Sequence, residues 1–276
     1  MSDRLDKAIA VGLLVAVVCT TLAHGAVESW SLALYELLIT LLVLLWAFKS
    51  IVDGRVNIKL PKLALPVAAL LAIGLAQSLS VGGPDSPVRS LSMDVEATRA
   101  AVTVLFFLLV SFLIAANFFE DRERLRTLLS FLVVYGLVLA VFSLIQYLTW
   151  DGRFYWLRPT KQYAVFGPFV NRNHYAGYMA MLIPVPVGLI LNRGVRKEAW
   201  LLFGFAAAIM GLTVVVSLSR GGMVSVLAGL IFVAIMSGRR DSVRDRSGEG
   251  RSKSRRIRSR VIARIGAIVA LALAIS

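Results

Sequence analysis

Residues 100–119 read AAVTVLFFLLVSFLIAANFF, twenty positions without an Asp, Glu, Lys or Arg. Wound as an α-helix, a run of that length rises about 30 Å, the thickness of the hydrocarbon core of a bilayer. Outward from it, eight further apolar runs lie between charged or turn-rich segments, at 8–23, 31–48, 63–80, 127–150, 175–192, 199–217, 222–237 and 261–276. An isolated strand leaves its backbone groups unsatisfied in lipid, so these runs predict helices. The expected fold class is all-α, a polytopic transmembrane helix bundle of about nine spans forming one domain over residues 1–276. A composition that is 58% hydrophobic, with mean hydropathy +0.78, excludes an ordinary soluble domain.

Pro184 and Pro186 fall inside the sixth run and predict a kink there, because proline removes a backbone donor and crowds the preceding turn. The last run has 16 residues. That is about 24 Å of helix, short of a full crossing. The chain is accordingly expected to be the amino-terminal part of a longer protein, incomplete at its carboxyl end. Arg4 and Lys7 followed by an apolar run have the outline of a cleavable signal peptide, but a second apolar run follows at once, which favours a retained anchor.

Charge sets the expected orientation. Of the net +14, half comes from residues 238–260, where ten Lys and Arg stand against three Asp and Glu. That stretch reads as a basic cytoplasmic loop near anionic headgroups, with no nucleic-acid partner implied. With the amino terminus in the cytoplasm, 22 Lys and Arg fall in inside loops, Arg264 sits at the inner end of the last run, and only seven fall outside. Five of those seven are Arg153, Arg158, Lys161, Arg172 and Arg220. They run against the positive-inside trend, and such local violations are where function is first sought.

Two polar motifs hold the last two of them. FGPFVNRNHYAGY, residues 166–178, enters the sixth run, with Gly167-Pro168 as a turn and Asn171 or Asn173 as a helix N-cap. A helix starting there places Asn171, His174, Tyr175 and Tyr178 along one face. Its free N–H groups suit a phosphate, and Arg172 adds a guanidinium able to grip two oxygens. SLSRGG, residues 217–222, joins the seventh and eighth runs; its glycines permit a tight reversal and close backbone approach around Arg220. The plain alternative for the tyrosines and arginines is anchoring at the headgroup level. Glu36 and Gln146 are candidates for lining a cavity. Arg153, Arg158 and Lys161, interleaved with Tyr155, Trp156 and Tyr163, suit a polyanionic lipid carrier or simple headgroup contact.

Cys19 is the single cysteine, so neither a disulfide nor a thiolate metal site can be built. The sequence contains no Walker A loop, dinucleotide fingerprint, HExxH or Asp-rich metal pair. No metal and no cofactor are therefore expected.

FGPFVNRNHYAGYMAMLIPVP, followed some 40 residues later by SLSRGG, resembles the O-antigen ligase and polymerase family of bacterial envelope proteins. The resemblance implies a multi-pass inner-membrane enzyme with a cytoplasmic amino terminus. Such an enzyme moves glycan from an undecaprenyl-diphosphate-linked donor to lipid A-core or another glycan acceptor on the periplasmic face, amid membrane lipid and without nucleotide or metal. It also implies a functional Arg at the position of Arg220. Arg220 and His174 are thus the candidate catalytic residues, and Arg172, Asn171, Asn173, Lys161 and Arg158 the candidate substrate-binding ones. The family's general base is a His in a large periplasmic loop nearer the carboxyl end, and this chain stops before any such loop. Glycan polymerase, protein O-oligosaccharyltransferase and a bicarbonate-type solute carrier are the alternatives, and paired broken helices near mid-membrane would favour the carrier.

Overall fold

In the computed structural model, residues 1–81, 89–160, 165–192 and 194–246 are described. They fall into two compact units, Met1–Leu125 and Arg126 onward. Among the described residues, seven helical spans are long and apolar enough to cross a membrane. This makes the chain a multi-pass α-helical membrane protein. The count corrects the expected nine. The third run forms a helix of only 15 residues, Ala64–Ser78, about 22 Å of rise. The ninth run, 261–276, lies outside the described residues.

The first unit holds α1 (Ser2–Leu22), α2 (Ser29–Val52), α3 (Ala64–Ser78), α4 (Val95–Phe118) and the first residues of α5 (Arg122–Leu148). The strands β1 (Ser80–Val81) and β2 (Arg89–Ser90) form a two-residue ladder between α3 and α4. Helices α1 and α2 pack so closely that a Cβ on Gly12 would come within 2.5 Å of Leu42. A charge network joins the start of α1 to the ends of its neighbours: Lys49 pairs with Asp6 and Asp53, and Arg124 with Asp3 and Asp6. Tyr35 on α2 and Ser111 on α4 share a hydrogen bond of 2.8 Å. Asp94 caps α4 by accepting from the Ala97 N–H.

The second unit contains the rest of α5, a hairpin of β3 (Arg153–Phe154) and β4 (Arg158–Pro159), then α6 (Arg172–Leu182), α7 (Pro184–Leu191), α8 (Trp200–Val216) and α9 (Arg220–Arg246). The expected kink is present: α6 gives way to α7 at Pro184, which takes the first position of the new helix, where its missing N–H costs nothing. Helix α9 runs through to Arg246, so the first part of the basic stretch 238–260 is helical backbone; residues 247–260 lie outside the described set. Leu139, Met179, Met210 and Val214 form the core of this unit.

The α6–α7 pair and α9 run side by side in the same direction. A Cβ on Gly222 would meet Ala176, one on Gly229 would meet Pro184, and one on Gly188 would meet Val233. Farther along, the Asn192 amide donates to Ser237 Oγ at 3.1 Å. The offset between partners stays near 45 residues throughout, which defines a parallel seam of small residues.

Candidate functional site

The seam brings the two sequence motifs together. Arg172 is the first residue of α6 and Arg220 the first of α9. Ala176, one turn into α6, packs on Gly222, two residues into α9. Two helix amino termini, each with a partial positive charge, therefore lie next to each other at one end of the unit; Asn171 already accepts from the N–H groups of Asn173, His174 and Tyr175, and Ser219 from those of Gly222 and Met223. Neither guanidinium has an ion-pair or hydrogen-bond partner among the described residues, and both side chains are exposed.

The helical register qualifies how the two arginines converge. Arg172 precedes Ala176 by four residues, so its stem lies about 40° from the face turned to α9. Arg220 precedes Gly222 by two, which sets its stem about 200° from the face turned to α6. The helix starts meet, while the guanidiniums approach their common end from different sides.

Asn171 is the α6 N-cap, its side chain accepting from the Asn173 N–H at 2.8 Å. Asn173 is exposed, and so is His174, whose ring makes no hydrogen bond among the described residues. The expected single face of Asn171, His174, Tyr175 and Tyr178 is split. Tyr175 is fully buried against Phe166 and Phe169 while His174 points outward. Tyr178 is half-buried beside Phe169. Tyr175 is thus a core residue and not an interfacial anchor, because the Phe166–Phe169 turn folds back over it.

In the second motif the reversal is made by Leu218, whose φ is +53, with Ser217 and Ser219 buried on either side. The glycines do something else. Gly222 admits Ala176, and the Gly222 N–H donates to Ser219 Oγ at 3.2 Å.

Gln146 is engaged by backbone groups of two loops. It is buried on α5, where its amide donates to the Gly167 carbonyl at 2.7 Å and accepts from the Tyr155 N–H at 2.9 Å. It ties both loop segments, the hairpin and the Gly167 turn, to the end of α5. Gly167, at φ +58, sits so close to Ser143 that a Cβ would lie 2.0 Å from its hydroxyl. The hairpin turn places Tyr155 and Trp156 at φ +52 and +59, with Leu157 N–H donating to Phe154. That is a type I′ geometry usually held by Asn-Gly. Phe142 packs against both rings, and Trp156 Nε1 donates to Thr149. Burial pushes the Tyr155 phenol up to about 12. Arg158 stands exposed on β4, and Lys161 lies outside the described residues.

Beneath the motifs Gln146, Ser217 and the Tyr175 hydroxyl form a layer of buried polar groups with Ser143 and Thr213, the two that sequence reasoning missed. The serine and threonine hydroxyls donate to carbonyls of their own helices. Tyr175 Oη has no partner at full hydrogen-bonding geometry among the described residues, although the Ser143 and Thr213 hydroxyls lie close enough to interact with it. Lone hydroxyls inside apolar spans were the available signal, since such groups face a bundle interior.

Comparison with known proteins finds no matching family model, no matching curated protein and no matching solved structure.

Proposed function

We propose that this protein is a metal-independent membrane glycosyltransferase of the O-antigen ligase type. The observation that carries the reading is the meeting of the two motifs, 46 residues apart from Ala176 to Gly222, at adjacent amino termini of parallel helices whose arginines have no ion pair among the described residues. In the reaction an acceptor sugar hydroxyl forms a bond to the donor's anomeric carbon as the bond to the diphosphate oxygen breaks. Undecaprenyl diphosphate leaves with added negative charge, which the helix ends and Arg220 stabilise, with Arg172 on the other side. The hydroxyl proton goes to a general base, for which His174, the one imidazole of this unit, is the candidate. Asn171, Asn173, Arg158 and Lys161 belong to the surface that receives the donor. Glycan polymerase and protein O-oligosaccharyltransferase differ from this only in the acceptor.

The same proposal sets the protein in a bacterial inner membrane with its amino terminus in the cytoplasm, the 238–260 stretch inside and the motifs outside, as the distribution of Lys and Arg favours. A solute carrier is supported less well, because among the described residues α6–α7 is the one span broken in its interior and has no broken counterpart.

The test is transfer from purified lipid-linked glycan in reconstituted membranes. Arg220→Ala should slow transfer roughly 30- to 1000-fold, and Arg220→Lys should rescue it poorly, since an ammonium cannot hold two phosphate oxygens in a fork. Arg99→Ala, in the first unit, should leave the rate unchanged. Parental rates from Arg220→Ala at equal abundance would sink the assignment.

A further inference from the structure

The first unit carries a groove that the glycan-transfer reading does not use. It has a volume of about 640 Å³ and runs between α2 and α4, with Val43, Trp46, Val110 and Leu113 among its walls. Its end is roofed by the segment that follows α2. That segment starts from a fixed geometry: Gly54 at φ +64 closes α2, its N–H donating to Ile51 O while the Arg55 N–H donates to Ser50 O. This is the Schellman arrangement, which only a residue tolerant of left-handed backbone completes without strain. The far end of the segment is pinned to α4, where Lys59 N–H donates to Asn117 Oδ1 at 2.8 Å and Asn117 Nδ2 donates back to Lys59 O at 3.0 Å. Lys59 Nζ is taken by Glu120.

Between these pins the chain reads Arg55-Val56-Asn57-Ile58-Lys59-Leu60, alternating polar and apolar. Val56 and Leu60 are 75% and 73% exposed, a pattern suited to lying in the interface of a bilayer. Arg55 is the one charged residue lining the groove, and it makes no ion pair among the described residues. Its neighbour Asp53 takes its hydrogen bonds from Lys49 and Ser2 and attracts Arg55 only at longer range. Apart from Arg55 at the mouth, the side-chain hydrogen-bonding groups of the walls are the Ser50 hydroxyl, which donates to Trp46 O, and the single indole N–H of Trp46, so the trough suits an occupant that is mostly hydrocarbon.

From an apolar trough roofed by a pinned segment, with one guanidinium outside any ion pair among the described residues at its mouth, we infer that this groove holds an acyl chain of an anionic glycerophospholipid whose phosphate is gripped by Arg55. The volume lies within the roughly 300–1,000 Å³ usual for small-ligand sites. The fork of the guanidinium matches two phosphate oxygens, and an added negative headgroup favours an anionic lipid over a zwitterionic one.

The experiment is native mass spectrometry of the full chain purified in detergent, offered phosphatidylglycerol and phosphatidylcholine of identical acyl composition in equal amounts. The parent should retain phosphatidylglycerol in preference by roughly tenfold. Arg55→Gln should bring the two lipids close to parity, Ala47→Trp should fill the trough and reduce both, and Arg99→Gln should change neither. Equal retention of the two lipids by the parent overturns the site. So does an undiminished preference in Arg55→Gln, or full retention in Ala47→Trp. Displacement of phosphatidylglycerol by an equimolar polyprenyl phosphate would also overturn it, as the occupant would then be a different lipid. None of these readouts depends on glycan transfer.

Discussion

The parallel seam of α6 and α9 can be tested by two substitutions one residue apart. An alanine at 222 would set its Cβ 2.4 Å from the Cβ of Ala176, about 1.6 Å inside a comfortable contact of roughly 4.0 Å. Both atoms are fixed to backbone, so no rotamer change relieves the overlap and the helices must part. An alanine at 221 meets nothing within 4 Å. Both replacements gain the helical preference of Ala over Gly, about 1 kcal/mol at most in a first turn. That gain is common to the two, so their difference isolates the clash. Overpacking of this kind costs about 1–3 kcal/mol, and the rigidity of both partners argues for the upper half of that range. At about 2–4 °C per kcal/mol for 150–250 residues, Gly222→Ala should melt roughly 4–12 °C below Gly221→Ala. The assay is thermal unfolding of purified protein in one detergent, followed by tryptophan fluorescence. Ala176→Gly in the Gly222→Ala background removes the opposing atom and should recover most of the loss, which makes the pair a double-mutant cycle. If Gly222→Ala melts at or above Gly221→Ala, the seam is wrong and the two motifs do not meet.

Three further outcomes are expected. Gln146→Leu leaves the Gly167 carbonyl and the Tyr155 N–H without their partner, at about 1–3 kcal/mol each, and limited proteolysis should cut residues 149–171 faster than in the parent; unchanged cleavage would refute the tie. Tyr175→Phe deletes a buried hydroxyl that has no partner at full hydrogen-bonding geometry among the described residues, so stability should hold or rise; a loss of several degrees in melting temperature would show the hydroxyl to be paired. Because burial raises the Tyr155 phenol to about 12, the folded hairpin holds its proton where the unfolded chain begins to release it near 10. Stability from this group is therefore flat below about pH 10 and falls as pH rises toward 12. Tyr155→Phe should remove a component near pH 12 from a phenolate absorbance titration.

The helices were legible because their cause is local. Twenty uncharged apolar residues can do little else in lipid, and the break at Pro184 follows from a missing N–H. The count went astray at 63–80 because Leu63 and Leu79 are apolar while the helix starts at Ala64 and ends at Ser78. Hydropathy registers both flanks equally and does not see where backbone hydrogen bonding stops. The hairpin at 153–159 was illegible for the opposite reason. Its turn places Tyr and Trp in left-handed backbone, against every local preference, and it is held by packing on Phe142 and by Gln146, both on α5.

At the site, residue types announced the helix start but not its surroundings. Asn171 reads as a cap from sequence and is one. Sequence gives the order of Asn171, His174, Tyr175 and Tyr178 around a helix, yet not which side the rest of the chain covers. That is decided by the Phe166–Phe169 turn closing over Tyr175. The same limit applies to Gly221-Gly222. A pair of glycines after an Arg suggests a reversal, but the reversal falls on Leu218, because Gly222 is needed where α9 touches Ala176. A glycine absent from the seam would force the two helix starts apart, and with them the arginines at positions 172 and 220. The pairing of a small residue in one motif with a small residue in the other, at a constant offset along both helices, is thus the physical link between two stretches that sequence alone presents as separate.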